Sequence, residues 1–465
     1  MRNNNSITGR IDWILVILLI SLVLMGMATL YSAAFNQNYP NIFDISQLYG
    51  KQLIWIGISL FFGFIVYLID SDIYKKFAIP IYGVILFLLV IVLFMPAVNG
   101  ARAWLGIGSL GIQPAEFAKI AAALVLAKFI SESNLKVQNN RVVLLAFSII
   151  LIPMILILLQ PDAGTFVVFT SFLFVLYREG ITFDPIILNI TNSFPGVKFK
   201  QTWVGTHFIP ISLIIIVLAI FTILLSRLAV SFVFLPSFEI SGFVFITVVL
   251  SVIGFIGFFV VQQYSSKRDR SNLTSAIILG YILSLTITFT VHFGFSSLAS
   301  HQKERIEFFL GMREDPDGED YNRNRAMAAV GSGGINGKGY KNASVSSVRA
   351  NHVPESETDF IFCPFAEEWG FLGSLILISI YTAVLIRIVF IAERQRSVFN
   401  RVYAYCVVMI IFYHVAINIG MNIGFAPVIG IPLPFFSYGG SSILSFTIMM
   451  FILLKLDSQR MDVLR

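Results

Sequence analysis

The chain has 465 residues, of which 57% are hydrophobic and 12% charged, and its net charge is +6. An average soluble domain carries about 25% charged residues, so the composition argues against a soluble domain and for a chain solvated by lipid. The basic residues sit in short clusters between apolar runs, which argues against a nucleic-acid partner, and the two cysteines, Cys363 and Cys406, suggest neither a disulfide framework nor a cysteine metal site.

Apolar runs of about 20 residues, the length a helix needs to cross a hydrocarbon core, recur along nearly the whole chain. They predict spans near 12–34, 51–70, 77–96, 114–132, 142–159, 163–178, 207–226, 241–263, 274–296, 368–388, 401–420 and 438–456. The predicted fold is an all-α transmembrane bundle of about 12 spans. The run 163–178 is short for a full span.

Sorting basic residues into alternate loops gives an orientation. With Arg2 and Arg10 inside, Lys75, Lys76, Lys136, Arg141, Arg178, Lys198, Lys200, Lys267, Arg268, Arg270, Arg387, Arg394, Arg396 and Arg401 also fall inside, with Arg460 and Arg465 at the C-terminus, whereas the opposite short loops 35–50, 97–113 and 421–437 hold one Arg between them, Arg102. This asymmetry predicts a cytoplasmic N-terminus and a cytoplasmic C-terminus. The one long segment between spans, 297–359, then lies outside.

Charges within apolar segments cost at least about 2.5 kcal/mol at a helix centre and so need a partner or a wet cavity. Gln113, Glu116 and Lys119 recur every three residues on one helix face, and Pro114 suits a first helical turn. Two readings stand: a self-satisfied Glu116–Lys119 pair, or the lining of a substrate cavity. Gln160-Pro-Asp-Ala-Gly-Thr165 interrupts two apolar stretches at the same predicted face, as a re-entrant turn or as part of a site.

Within the long segment, 313–321 packs three Asp and two Glu into nine residues. A carboxylate there is either part of a solvated Asp-Pro-Asp-Gly turn or a general base toward a sugar hydroxyl. The run 331–339, Gly-Ser-Gly-Gly-Ile-Asn-Gly-Lys-Gly, is not a nucleotide-binding loop, because Ser332 and Gly339 occupy places where that loop needs Gly and Ser or Thr. It is either a turn requiring positive φ or a contact for an anionic ligand.

Glu367 and Glu368 stand where the next span begins and are read as helix-capping acids. Asn418 and the proline-bracketed stretch from Gly430 to Ser442 complete the polar set on this face. The five histidines, His207, His292, His301, His352 and His414, show no pair at helical spacing, so a histidine metal site is not expected.

In order along the chain, these motifs resemble the SEDS family (shape, elongation, division and sporulation). The resemblance rests on Asn99-Gly-Ala-Arg-Ala-Trp104, Gln113-Pro-Ala-Glu-Phe-Ala-Lys119, Gln160-Pro-Asp-Ala-Gly-Thr165 and Arg305. It continues through Asp315-Pro-Asp-Gly, Gly331-Ser-Gly-Gly, Gly337-Lys-Gly, Pro354-Glu, Thr358-Asp-Phe-Ile-Phe362, Glu367-Glu-Trp-Gly-Phe371 and the Gly430 to Ser442 stretch. Gly-Ser-Gly-Gly followed by Gly-Lys-Gly favours the rod-shape branch over the division and sporulation branches. Ala103, Asp320, Arg325 and Ala326 depart from the usual pattern.

The resemblance implies a peptidoglycan glycosyltransferase of the bacterial inner membrane that polymerises lipid II through a periplasmic loop during cell elongation. It places the essential aspartate at Asp315, and substrate contacts at Arg102, Gln113, Glu116, Lys119, Asp162 and Arg305. Further contacts fall on Ser332, Lys338, Asp359, Ser437 and Ser441. Arg102 and Lys119 are candidates to offset the leaving diphosphate, with a divalent cation, Mg or Mn, compatible with that role. The expected partners are a class B penicillin-binding transpeptidase and other membrane proteins of the elongation complex. The family core has roughly ten spans, so 180–270 reads as an insertion of about two extra helices in a single membrane domain, 1–465, with 297–359 as its large loop. A lipid II flippase or transporter, which also uses intramembrane charges and broken helices, and a non-catalytic scaffold are the competing readings.

Overall fold

The computed structural model describes residues 11–35, 39, 41–96, 102–106, 111–133, 140–193, 199–226, 229–232, 235–266, 270–297, 303, 319–346, 353 and 355–460. Asp315 and Arg305 lie outside the described residues. Every predicted span has a helical counterpart. The first five are α1 (Trp13–Ala33), α2 (Leu48–Leu68), α3 (Ser71–Val92), α4 (Pro114–Glu132) and α5 (Asn140–Leu158). The short run 163–178 is two helices, α6 (Ala163–Phe169) and α7 (Phe172–Arg178), which break at Thr170 and Ser171.

Next come α8 (Asp184–Thr191), α9 (Trp203–Thr206), α10 (Phe208–Ser226), α11 (Gly242–Tyr264), α12 (Arg270–Ser297) and α13 (Glu319–Ser332). The chain closes with α14 (Phe362–Glu393), α15 (Val398–Asn422) and α16 (Gly440–Ser458). Among the described residues nine helices are long and apolar enough to cross a membrane: α1, α2, α3, α5, α11, α12 from Asn272 onward, α14, α15 and α16.

Three features depart from the sequence expectation. A two-stranded antiparallel hairpin, β1 (Ala229–Phe232) and β2 (Leu235–Ser241), lies between α10 and α11. The long segment contains the polar helix α13, which has no apolar period to betray it. Helix α14 begins at Phe362 rather than near 368, so Glu367 and Glu368 lie inside it, and the chain leaves helical geometry at Gly370, φ 64°.

The chain divides into two compact units, Met1–Lys136 with Leu144–Glu179 and Pro316–Arg465, and Val137–Val143 with Gly180–Asp315. In the first, α4 is the centre. Its face-by-face run of small residues, Ala115, Ala118, Ala121, Ala122, Ala123 and Ala127, is buried on all sides, and α3, α15 and α16 pack against it. Helices α2 and α16 pair closely because Gly63 and Gly440 have no Cβ; one at Gly440 would lie 2.1 Å from the Trp55 ring.

At one end of this unit, Asp12 caps α1 through Leu15 N and binds Arg387 and Arg394 of α14. Arg394 also pairs with Asp457 of α16, which Arg460 and Gln395 share. Asp12 is buried, which alone would raise its pKa, but the arginine bonds and the Leu15 amide hold it below the ordinary value. Nearby, Arg178 bonds Glu179 and Glu393 and stacks 3.7 Å over the Tyr405 ring, and Arg401 bonds Glu179.

The second unit is built on α10, α11 and α12. Gly254 lets Tyr281 approach, whose hydroxyl lies 2.8 Å from Ser251 Oγ, and the His292 ring stacks on Phe243 at 4.0 Å. Asp184 at the start of α8 accepts from Thr202 N at 2.7 Å and closes the turn before α9.

Candidate functional site

The end opposite the Asp12 network holds the polar motifs. An antiparallel bridge pairs Leu105 with Ile112 just before α4, and Pro114 occupies the first turn of that helix. Gln113 precedes the helix without capping it; instead its Nε2 donates to Asp162 Oδ2 at 2.7 Å. The other oxygen of Asp162 accepts from Thr165 N at 2.9 Å and so caps α6. One side chain thereby starts one helix while tying it to another.

A turn further along α4, Glu116 and Lys119 are both buried. Lys119 Nζ lies 3.0 Å from each Glu116 oxygen and 2.8 Å from His414 Nε2 on α15, and Ser445 Oγ of α16 donates to Glu116 Oε2 at 2.9 Å. His414 Nδ1 lies 3.1 Å from the Pro432 carbonyl. A carbonyl only accepts, so Nδ1 carries the proton and Nε2 receives one from the ammonium. The three ammonium protons are thus engaged, with the Phe446 ring 5.1 Å away. Of the two readings open in the sequence, the pair is formed, and it extends across three helices to the proline-bracketed stretch.

Asp359 sits in the turn before α14. Its carbonyl accepts from Asn418 Nδ2 at 2.8 Å, and the same amide donates to the Ile431 carbonyl at 2.6 Å. Asn418 therefore staples two irregular segments that helices alone would not fix. Gly430, at φ 65°, lets the Asp359 carboxylate approach: a Cβ there would stand 3.1 Å from Oδ2. Burial pushes the Asp359 carboxyl up to about 7, with Glu355 and then Asp162 adding to the rise. Burial likewise raises Asp162, against the bonds from Thr165. Gln113, Glu116, Lys119, Asp162 and Asp359 thus share one electrostatic neighbourhood.

The remaining predicted residues are placed apart from that group or at its edge. Ser437 Oγ accepts from Leu433 N at 2.8 Å and Ser441 is buried in the first turn of α16. Arg102 is exposed and donates through Nη1 to the Leu93 carbonyl at 3.2 Å. Ser332 ends α13 and donates to the Ala329 carbonyl at 2.8 Å. Lys338 Nζ lies 2.6 Å from Glu367 Oε1. Gly334, Gly337 and Gly339 have φ of 56°, 77° and 92°, so the glycine run makes the tight turn that its composition allowed. Glu367 and Glu368 are not capping acids, because the helix has already begun five residues earlier.

His414 and Ser445 were not among the residues singled out for the site, whereas Asn418 was read only as part of the polar set on this face and Glu367 only as a helix-capping acid. His414 and Asn418, followed by Asn422, recur every four residues along the largely apolar second half of α15, a polar stripe that periodicity could have exposed. Among the described residues no three His, Cys, Asp or Glu side chains are grouped to hold a metal ion.

The model of the cell cycle protein family FtsW/RodA/SpoVE matches residues 12–199 and 269–462. The chain is 30% identical over 461 residues to the peptidoglycan glycosyltransferase RodA of Treponema pallidum, covering 97% of this chain and 98% of that protein. It is 27% identical to the peptidoglycan glycosyltransferase MrdB of Escherichia coli K12, covering 93% and 90%, and 29% identical to the stage V sporulation protein E of Bacillus subtilis, covering 93% of each. The fold matches a chain of a solved peptidoglycan synthase complex with a TM-score of 0.64 at 23% identity, covering 97% of this chain and 98% of that one. It matches the rod shape determining protein RodA of Thermus thermophilus with a TM-score of 0.53 at 22% identity and the same coverage. The chain belongs to the FtsW/RodA/SpoVE family.

Proposed function

We propose that this chain is a peptidoglycan glycosyltransferase that polymerises lipid II for cell elongation. The observation that carries the reading is the buried acid and cation constellation at one end of the bundle, in a chain collinear with curated peptidoglycan glycosyltransferases. Both substrates keep their polyprenyl tails in lipid, which suits a site at the end of the helices rather than at their midpoint.

In this reading Asp315 takes the proton from the acceptor sugar hydroxyl as that oxygen attacks the donor anomeric carbon. The new carbon–oxygen bond forms as the bond to the lipid diphosphate breaks, and the diphosphate leaves with the electron pair. Arg102, exposed at the rim, offsets the leaving charge. Lys119 acts at one remove, holding Glu116, His414 and through it Pro432 in place. Gln113, Asp162, Arg305, Ser332, Asp359, Ser437 and Ser441 complete the substrate-facing set, and Lys338, paired with Glu367, acts at one remove as Lys119 does.

The decisive experiment is polymerisation of lipid II by the purified full chain in detergent. Wild type makes glycan chains and Asp315→Ala makes none while its thermal melt is unchanged; full activity in that variant overturns the assignment. Polymer formed without a bilayer also separates a polymerase from a flippase, and failure of Asp315→Ala to complement a deletion separates it from a scaffold.

Positive-inside sorting supports cytoplasmic termini and a periplasmic loop in the inner membrane. The coupling of polymerization with crosslinking in the related synthase complex supports a class B penicillin-binding transpeptidase as partner. The segment 180–270 is an insertion packing against a partner helix; the family match skips 200–268. Crosslinking from 207–263 that finds no neighbour overturns that role.

A further inference from the structure

Helix α13 begins four residues after Asp315. At 14 residues and without an apolar face it is too short to stand alone in water, so its placement comes from docking. Along its side, Ala326 and Ala329 pack with Val353, Phe360 and Cys363. At its end, the glycine turn is interlocked with the break in α14.

The break makes the interlock possible. Because α14 leaves helical geometry at Gly370, its backbone groups pair outside the helix: Phe371 N donates to the Gly334 carbonyl at 2.9 Å, and Lys338 N and Gly339 N donate to the Glu367 and Glu368 carbonyls at 3.0 Å each. The fit admits no side chain, since a Cβ at Gly333 or Gly337 would lie 2.2 or 2.1 Å from the Ala366 or Glu368 carbonyl oxygen.

The Glu367 carboxylate closes this clasp. It accepts from three successive amides, Ser344 N at 2.8 Å, Val345 N at 3.0 Å and Ser346 N at 2.9 Å, and from Lys338 Nζ at 2.6 Å. Its relative exposure is 0%, so it cannot touch a substrate. Yet a carboxylate this fully bonded holds the loop on both sides of residues 339–343, and losing it would leave an ammonium and three amides without their acceptor. Glu368 seconds it by accepting from Ser32 Oγ of α1 and from Lys341 N at 3.1 Å.

We propose that Glu367 is a positioning residue for glycosyl transfer: by clasping 338–346 it fixes the C-terminal end of α13 and, through the helix, its N-terminal end at Glu319, which the chain bearing Asp315 precedes. The inference rests on the glycosyltransferase reading above. It predicts a defect in turnover rather than in substrate affinity, because a misplacement of about 1 Å costs on the order of 100-fold in rate.

The test compares Glu367→Ala, Glu367→Gln and Lys338→Met as purified full chains, by steady-state lipid II polymerisation and by hydrogen exchange. Glu367→Ala is expected to lower kcat about 100-fold with KM for lipid II nearly unchanged. Glu367→Gln and Lys338→Met are expected to show smaller losses in kcat alone. Exchange should quicken in 344–346 and throughout α13 but not in α15.

Wild-type kcat in Glu367→Ala, a change confined to KM in any variant, or unaltered exchange of α13 overturns the proposal. If Glu367→Ala does not fold, wild-type kcat in both milder variants overturns it equally. The exchange arm needs no polymer, so it judges the clasp even if Asp315→Ala remains active and the glycosyltransferase reading falls.

Discussion

Lys119 and His414 are 295 residues apart in the chain, and Lys119 Nζ lies 2.8 Å from His414 Nε2. The contact joins α4 to α15 and, through His414 Nδ1, to the Pro432 carbonyl. Removing one member of a buried charged pair strands the other at about 3–5 kcal/mol, whereas removing both costs less. Glu116→Gln should therefore destabilise the protein more than Glu116→Gln with Lys119→Met. Unfolding of both variants in detergent measures the difference; equal losses would show that the two residues do not act as a pair.

His414→Phe removes the acceptor for Lys119 and the donor to Pro432 while keeping a ring against Phe446. The expected cost is about 1–3 kcal/mol for the buried groups left unsatisfied. Because Pro432 belongs to the stretch that frames the site, polymerisation should fall further than the folded fraction does.

Asp359 carries the pH dependence. Its folded value of about 7 stands above the ordinary 3.8, so between those values the native chain holds a proton that the unfolded chain has released. The stability contributed by the neutral carboxyl is complete below the unfolded value and is lost as pH rises through about 7. Asp359→Asn should flatten the melting temperature between pH 5 and 8 (about that range) and raise it at the alkaline end; an unchanged profile would refute the assignment.

Asn418→Leu keeps the volume of the side chain but removes the donor shared by the Asp359 and Ile431 carbonyls. The Ile431 carbonyl is then left open, at about 1–3 kcal/mol, and the Asp359 carbonyl keeps only the long 3.5 Å bond from Asn422 Nδ2. Gly430→Ala, at φ 65° with Asp359 Oδ2 close by, adds backbone strain of about 1–2 kcal/mol at the same place. Both variants should lose polymerisation, and their effects should not be additive, because the segments are coupled.

At the far end, Asp457→Asn breaks the pairing with Arg394 and Arg460. It should lower thermal stability without altering kcat per folded molecule. A selective loss of kcat would instead connect that end to the chemistry.

The spans were legible because lipid imposes a length on apolar runs, and α1 to α5 and α14 to α16 fall close to where those runs lie. Glu116 and Lys119 were legible as a pair because three residues bring side chains onto one helix face. Their third partner was not, since nothing in the spacing of Lys119 and His414 announces a contact across the bundle. Helix α13 was hidden by its polarity. The clasp was hidden by Gly370: acids near the start of an apolar run look like caps, and only the break inside α14 shows that Glu367 faces a folded-back loop. Gly430 was visible as part of a proline-rich stretch, but its closeness to Asp359 was not.

The enclosure of α4 bears on how the protein is made. Carrying Glu116, Lys119, Lys128 and Glu132, this helix partitions poorly into lipid by itself, at about 2.5 kcal/mol or more for each charge near the centre. The side chains that relieve two of those charges, His414 and Ser445, emerge from the ribosome only after nearly the whole remaining chain has been synthesised. The Glu116–Lys119 pair within α4 is therefore complete only when α15 and α16 bring His414 and Ser445 to it.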